Sequence, residues 1–360
     1  MLTACTPTGD SPTATADASV ADSGASRGSR SDDLLERMLS PDEPGCSAAV
    51  GVEGQVVWAA ARGTADMATG RSLTPATTFD IGSVSKQFTA TAVLLLAQEG
   101  RLGLDDPLSR WVADLPAWSD DVTLDDLLHH TSAIPDYITL LAASGHELSD
   151  RTTQQQAIAA IAGHQSLNGR LQGLFGYSNS NYLLLAEVVQ RAAQQPLPEF
   201  ASTRIFQPLA LDMAIDPYGA NPDNTDPSSA RSYLPDPTSG RWEPAGSRWE
   251  QIGDGSIQTT PAALVRWADT YRTGRLGGSR LVEAQLSTTT TAGPGGDKYA
   301  AGILITPDGT LTHDGDSAGF LTTFNVSADH RIAVAVSCNG RPPSDIEEIT
   351  EELQAEWAQA

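Results

Sequence analysis

In this 360-residue chain, Ser83 and Lys86 lie three residues apart. A hydroxyl and an amine at this spacing could take part in a reaction together. The apolar positions after them predict a mostly buried helix from Ser83 to Glu99, ended by Gly100. Residues i and i+3 lie on one face of a helix, so the Lys86 amine could reach the Ser83 hydroxyl. A desolvated lysine can take the proton of a serine hydroxyl, which then becomes a nucleophile. The spacing therefore predicts covalent catalysis at Ser83.

A short motif of this kind also arises where a surface lysine follows a helix-capping serine. Two observations favour the catalytic interpretation. Lys86 and Lys298 are the only lysines, and every other basic residue is arginine. A surface role would more readily have used arginine, and the segment after Lys86 is apolar rather than polar.

The composition limits the possible partners of the chain. It has 22 basic and 45 acidic residues, a net charge of -23 and a pI of about 4.4. Nucleic acids and anionic membrane surfaces need clustered Lys and Arg, so neither is an expected partner. The sequence has no run of about 20 apolar residues and predicts no transmembrane span. A small-molecule or peptide substrate is the expected partner, and the oligomeric state is left open.

The first residues differ from the rest. Residues 1–33 are mainly Ser, Thr, Ala, Asp, Gly and Pro, which predicts a disordered tether. Cys5 ends a Leu-Thr-Ala-Cys run that resembles the lipobox of bacterial lipoproteins, in which the cysteine is lipidated. The charged start and apolar run of a signal peptide are missing, and a chance cysteine is the alternative. We expect a lipid anchor at Cys5 and an extracytoplasmic location, secreted or on the outer face of a bacterial membrane.

The order of hydrophobic patterns predicts the domain organisation. The predicted strands are 47–52, 55–60, 300–305, 310–314, 319–327 and 331–338, with a hairpin at 233–242. The predicted helices after 83–99 are 152–163, 180–194, 261–271 and 346–358. This order predicts an α/β (α+β) fold, with an antiparallel sheet flanked by helices. Residues 34–104 and 251–360 would form one discontinuous domain, and residues 105–250 a mostly helical insert domain.

Two more motifs follow in the chain, a Tyr-Ser-Asn run beginning at Tyr177 and a His-Asp-Gly run beginning at His313. With the Ser83 motif, in this order, they resemble the serine β-lactamase-like, penicillin-recognising hydrolases over residues 35–358. The branch most similar holds class C β-lactamases, DD-peptidases, D-aminopeptidases and β-lactamase-like esterases. Residues 127–135 also resemble a turn of that family, with Ala133 where glycine is usual. The resemblance implies a β-lactamase/transpeptidase-like fold.

The resemblance also implies roles for four residues. Ser83 would be the acylated nucleophile and Lys86 its hydrogen-bonded activator. Tyr177 would relay the proton to the leaving group and later activate water, and Asn179 would hold Lys86 and the substrate amide. A tyrosine acts as a base only where a cation stabilises its anion, and Lys86 is the available cation. The alternative for Tyr177 is a core aromatic residue. No metal or organic cofactor is implied.

The third motif departs from the Lys-Thr-Gly of many β-lactamases. His313 and Gly315 would contact substrate, and the backbone N–H groups of Ser83 and Asp316 would form the oxyanion hole. An unperturbed histidine has a pKa of about 6.5, so His313 would attract the carboxylate of a β-lactam only weakly at pH 7. Asp316 would repel that carboxylate. We therefore expect esters, D-amino-acid peptides or amides as substrates ahead of β-lactams, with β-lactamase activity improving below about pH 6.5 as the histidine protonates.

In the related fold, the first and last strands are antiparallel neighbours. Cys46 and Cys338 lie at the matching ends of these two predicted strands. The resemblance therefore implies a disulfide between them and an oxidising compartment.

Three features of the sequence allow other functional interpretations. Ser317 lies in a Gly-x-Ser-x-Gly run that fits the nucleophile elbow of α/β-hydrolases, with Asp329 and His330 as the remaining triad. No apolar strand precedes it, and the acid and the histidine are adjacent, which disfavours this site. The adjacent histidines His129 and His130 lack a third ligand at metal-binding spacing. A non-catalytic or single-turnover penicillin sensor is the alternative to an enzyme.

Overall fold

The computed structural model describes residues 15–169, 173–342 and 345–358. Cys5 and the predicted lipid anchor lie outside these residues. Within them, no helix combines the length and the apolar character that crossing a membrane requires.

An antiparallel sheet of eight strands forms the centre of the fold. Its order is β10-β11-β12-β13-β14-β15-β1-β2, so the first strand pairs with the last. The strands of this sheet are β1 Cys46–Val52, β2 Gln55–Arg62, β10 Thr290–Thr291, β11 Lys298–Tyr299, β12 Leu304–Ile305, β13 Leu311–Ser317, β14 Phe320–Val326 and β15 Ile332–Cys338. The remaining short strands are β3 Thr64–Asp66, β4 Arg71–Ser72, β5 Phe79–Asp80, β6 Met213–Ile215, β7 Tyr233–Pro235, β8 Trp242–Pro244 and β9 Ile257–Thr259. The predicted fold class, an antiparallel sheet with flanking helices, is confirmed.

Helices cover both faces of the sheet. They are α1 Thr15–Met38, α2 Lys86–Gln98, α3 Leu124–Leu128, α4 Tyr137–Ala143, α5 Gln154–Ala162, α6 Asn179–Ala193, α7 Leu197–Ala201, α8 Pro261–Thr273, α9 Ser279–Leu286 and α10 Ile346–Trp357. Short helical turns occur at Gly82–Ser85, Leu108–Arg110, Ala117–Asp120 and Ser202–Phe206. Helices α1 and α10 pack on one face, while α2 and α8 pack on the other.

Strand β15 has an apolar sequence throughout because both of its faces are buried. Val334 and Val336 belong to the core beneath α1 and α10, whereas Ala333 and Ala335 belong to the core around α2 and α8. Successive side chains of a strand point to opposite faces, so a strand covered on both faces has no polar alternation. The adjacent strand β1 follows the same rule.

Two predicted elements need correction. Residues 15–33, predicted as disordered, lie in α1, because Leu34 and Leu35 at its end are buried against the sheet and Ser31 accepts a hydrogen bond from the Trp357 indole at 3.1 Å. Of the strand predicted at 300–305, only Leu304–Ile305 is strand, as β12, and a turn at Gly302 separates it from β11 at Lys298–Tyr299.

Cys46 and Cys338 are paired in register across β1 and β15 and form a disulfide, with their Cα atoms 4.0 Å apart. The bridge closes a loop across 292 positions of the chain.

We predict that the double variant Cys46→Ala, Cys338→Ala loses about 5–6 kcal/mol of unfolding free energy, because its unfolded chain regains the closure entropy of a loop this long. Denaturant titration with and without reductant measures this. The double variant serves as the control, since reductant should destabilise the parent protein and leave the variant unchanged. The prediction would be contradicted if the parent protein were equally stable before and after both of its thiols had been shown to be reduced.

Ala133, at the position where the resembling family has glycine, has a left-handed backbone with φ of 60°. A side chain in that conformation costs about 1–2 kcal/mol, which glycine avoids at a smaller entropic cost in the unfolded chain. We predict that Ala133→Gly raises the unfolding free energy by about 0.5–1 kcal/mol.

The matched control is Ala159→Gly in the exposed middle of α5, which should lower the unfolding free energy by about 1 kcal/mol. Thermal and denaturant melts report both values. Destabilisation by both substitutions would contradict the account of Ala133.

Candidate active site

Ser83 lies on the helical turn Gly82–Ser85, between strand β5 and helix α2. Asp80 fixes the turn, since its Oδ1 accepts the backbone N–H of Gly82 at 2.8 Å. Gly82 has a φ of 51°, a conformation that favours glycine. The predicted helix therefore begins with a short turn, and α2 proper starts at Lys86.

Lys86 is completely buried beneath this turn. Its Nζ lies 2.9 Å from Ser83 Oγ, 2.8 Å from Asn179 Oδ1 and 2.8 Å from the carbonyl oxygen of Asp254. An ammonium group has three N–H donors, so these three acceptors satisfy it completely. The amine can exchange a proton with the Ser83 hydroxyl at this distance, and the predicted pairing is present.

Asn179 stands at the first position of α6 with its side-chain amide fixed. Its Oδ1 accepts from Lys86, while its Nδ2 and backbone N–H donate to Asp136 Oδ2 at 2.9 and 2.6 Å. One amide proton remains for a substrate, as the resemblance implied. Asp136 was not predicted as a site residue, although an aspartate just before the apolar start of α4 is a recognisable N-cap in the sequence.

Tyr177 precedes α6 and places its ring over the lysine. The Lys86 Nζ lies 4.9 Å from the centre of the tyrosine ring, and 41% of the tyrosine is exposed. This arrangement places a solvent-accessible phenol ring against the buried cation.

Strand β13 passes very close to the serine turn at Gly315. A Cβ atom on Gly315 would lie 2.1 Å from the Ile81 carbonyl oxygen and 3.2 Å from the Ser83 nitrogen. Only glycine permits this approach. On the other side, a Cβ on Gly82 would lie 2.9 Å from the Asp316 nitrogen. The close contact therefore places the backbone nitrogens of Ser83 and Asp316, the two groups expected to form the oxyanion hole, on either side of the same strand–turn contact.

His313 is buried on β13, and its environment differs from the one expected. Its Nδ1–H donates to the carbonyl oxygen of Asp314 at 2.7 Å, and its Nε2 lies 3.3 Å from the Tyr299 hydroxyl. Burial, and then the charge of Lys86, lowers the pKa of His313 to about 4. The expected protonation below pH 6.5 is therefore wrong, because a buried imidazole beside a cation loses its proton more easily.

Asp316 forms an ion pair with Arg341, a residue that follows β15. Both side chains are about half exposed. From the sequence, the Asp316 charge was expected to be unbalanced. Arg341 was not predicted as its partner, because nothing in the local sequence indicates that these segments meet. The pair places one cation at the edge of the site.

A cleft of about 270 Å³ opens at Ser83. Its apolar wall includes Ile138, Leu148, Pro217, Ala220 and Trp249. Its carboxylates are Asp80, Asp254 and Asp316, and no Lys or Arg lines it among the residues that the structure describes. The cleft therefore has acidic groups and an apolar side.

The two buried carboxylates of the cleft have raised pKa values. Burial, with the Asp254 charge adding to it, raises the pKa of Asp80 to about 6. Burial also raises the pKa of Asp254, while the Lys86 charge opposes the rise. The Tyr137 hydroxyl donates to Asp254 Oδ2 at 3.0 Å.

The alternative triad at Ser317 is not assembled. Ser317 faces Phe320 at the start of β14, whereas Asp329 and His330 follow the other end of that strand. Seven strand residues span about 20 Å, too far for a hydrogen bond. Within the described ranges, no three His, Cys, Asp or Glu side chains are grouped as metal ligands.

The Beta-lactamase family model matches residues 32–358, so the chain belongs to this family. Penicillin-binding protein 4* of Bacillus subtilis is 32% identical over 161 residues, which cover 44% of this chain and 35% of that protein. D-aminopeptidase of Brucella anthropi is 29% identical over 224 residues, covering 62% of this chain and 42% of that protein. The chain thus spans well under half the length of these two relatives.

Solved structures support the fold. A penicillin-binding protein from Bacillus halodurans matches with a TM-score of 0.78 and 20% identity, covering 90% of this chain and 98% of that chain. The D-amino acid amidase from Ochrobactrum anthropi SV3 matches with a TM-score of 0.75 and 22% identity, covering 93% of this chain and 98% of that chain.

We predict that Ser83→Ala abolishes covalent labelling by a fluorophosphonate, because only Ser83 has an amine within hydrogen-bond distance in the described site. Ser317→Ala, the matched control, should keep labelling within about twofold of the parent, since Ser317 hydrogen-bonds to the buried Asp80 carboxylate and not to an amine. Mass spectrometry of labelled peptides identifies the modified serine. A label mapped to Ser317 would contradict this assignment.

Proposed function

We propose that this chain is a serine hydrolase that forms an acyl-enzyme at Ser83 and cleaves amides, peptides or esters. The contact between Ser83 Oγ and the buried Lys86 Nζ carries the proposal. Membership of the Beta-lactamase family and the likeness to an aminopeptidase and an amidase support it.

The geometry supports a two-step reaction. Ser83 Oγ attacks the substrate carbonyl carbon, and its proton passes to the coupled pair of Lys86 and Tyr177. The backbone amides of Ser83 and Asp316 stabilise the oxyanion. The bond to the leaving amine or alcohol then breaks, and the pair returns the proton to it. Water attacks the ester with the same pair as base, which releases the carboxylic acid and restores Ser83.

The cleft favours one substrate class. Asp316 is paired with Arg341, so the two buried carboxylates, Asp80 and Asp254, are the groups that would attract a free ammonium group and oppose the carboxylate of a β-lactam. The apolar wall fits an apolar side chain. We therefore propose amides, esters or short peptides of apolar D-amino acids with a free amine as preferred substrates, with β-lactams as weaker ones. The D-aminopeptidase and D-amino acid amidase relatives support the D configuration.

We also propose an extracytoplasmic location, secreted or lipid-anchored. The paired cysteines Cys46 and Cys338 support an oxidising compartment. Cell fractionation, with mass spectrometry of the mature N-terminus, tests the location and the lipid on Cys5.

We predict that D-phenylalanine p-nitroanilide is hydrolysed with a kcat/KM about tenfold or more above that of its N-acetyl form at pH 7, because only the free amine is attracted by the carboxylates. The acetylated substrate is the matched control, since it keeps the same ring and leaving group. Below pH 6 the preference should shrink, because Asp80, whose pKa is raised to about 6, takes up a proton and loses its charge.

A chromogenic cephalosporin completes the panel. Efficient cephalosporin turnover with no preference between the two anilides would contradict the proposed substrate class. A single burst of product equal to the enzyme concentration, with every substrate, would identify a sensor rather than an enzyme.

A further inference from the structure

His130, which follows α3, holds the backbone on both sides of Tyr177. The His130 carbonyl oxygen accepts the N–H of Gly176 at 2.8 Å, and its ring Nδ1 accepts the N–H of Ser178 at 3.2 Å. These two residues flank the tyrosine directly. One histidine therefore fixes the path of the chain before and after the tyrosine.

The His130 ring also supports the Tyr177 ring. The ring centres are 4.4 Å apart with an interplanar angle of 33°. The rings of Phe175, Tyr182 and Tyr299 surround the histidine at 6.0, 5.2 and 4.7 Å. Because 41% of Tyr177 is exposed, the packed histidine is a substantial part of what holds the tyrosine in place.

The hydrogen bonds fix the protonation of this histidine. Its Nδ1 lies 2.8 Å from Asn181 Nδ2 as well as near the Ser178 N–H, and the Ser132 hydroxyl orients that amide by donating to Asn181 Oδ1 at 2.6 Å. An atom that accepts from two donors carries no proton, so the ring proton is on Nε2. Burial lowers the pKa of His130 well below its usual value, and the Lys86 charge adds to the effect.

From these contacts we infer that His130 is a positioning residue for Tyr177. It holds the phenol over Lys86 so that the two groups can pass a proton between Ser83 and the leaving group. This inference rests on the proposed role of Tyr177. The titratable groups around the tyrosine ring are Lys86, His130, Tyr299 and His313.

Two substitutions distinguish the contribution of the Nδ1 hydrogen-bond acceptor of His130 from that of its aromatic ring. His130→Asn places a carbonyl oxygen near the Nδ1 position, and asparagine tolerates the left-handed backbone at this residue, where φ is 55°. His130→Phe keeps an aromatic ring and removes the acceptor. Where His130→Phe fails to fold, His130→Gln replaces it, since its amide reaches the Nε2 position rather than the Nδ1 position.

The readout is the acylation rate in single turnovers with a p-nitroanilide and a p-nitrophenyl ester of the same acid. The leaving aniline needs a proton from Tyr177, whereas nitrophenolate leaves without one. We expect His130→Phe or His130→Gln to slow anilide acylation by about 100-fold and ester acylation by about 10-fold, since general acid–base catalysis contributes on this scale. His130→Asn keeps the acceptor and loses only the ring, so it should lose less, about 10-fold for the anilide and about threefold for the ester.

Thermal melts show whether each variant is folded. Equal losses for anilide and ester, or losses in His130→Asn as large as in His130→Phe, would overturn the inference, because a general packing defect acts on both substrates. Unchanged rates in a folded His130→Phe would also overturn it. Tyr177→Phe tests the underlying proposal separately: if it leaves both rates unchanged, the proposed role of Tyr177 fails, whatever His130 does.

Discussion

The buried amine of Lys86 is the constraint on which the site depends. A cation without water needs an acceptor for each of its protons, and these come from Ser83, Asn179 and the backbone of Asp254. The three acceptors belong to the turn before α2, the start of α6 and the segment before β9. Satisfying a single side chain therefore requires these three segments to meet correctly.

The carboxylates around the lysine form a second layer of this constraint. Asp136 orients the Asn179 amide, and Asp254 and Asp80 lie buried along the cleft. Burial disfavours the charged form of a carboxylate, so the pKa values of Asp80 and Asp254 are raised.

Local geometry explains what the sequence could predict. The pairing of Ser83 with Lys86 follows from helical spacing, and the strands of the sheet follow from their apolar runs. The environment of His313 could not be predicted, because its low pKa depends on burial by residues distant in the chain. Arg341 could not be assigned to Asp316 either, because their contact depends on the way β13 and the segment after β15 pack. Helix α1 was missed because its polar composition outweighed its short apolar end.

The pairing of β1 with β15 has a topological consequence. The two ends of the sheet domain are bonded to each other through the backbone ladder and the disulfide, and the helices beyond them, α1 and α10, are in contact through Ser31 and Trp357. The described chain from α1 to α10 therefore forms nearly a closed ring. A circularly permuted chain, joined between α1 and α10 and opened in an exposed loop, would retain every strand neighbour and every contact of the lysine.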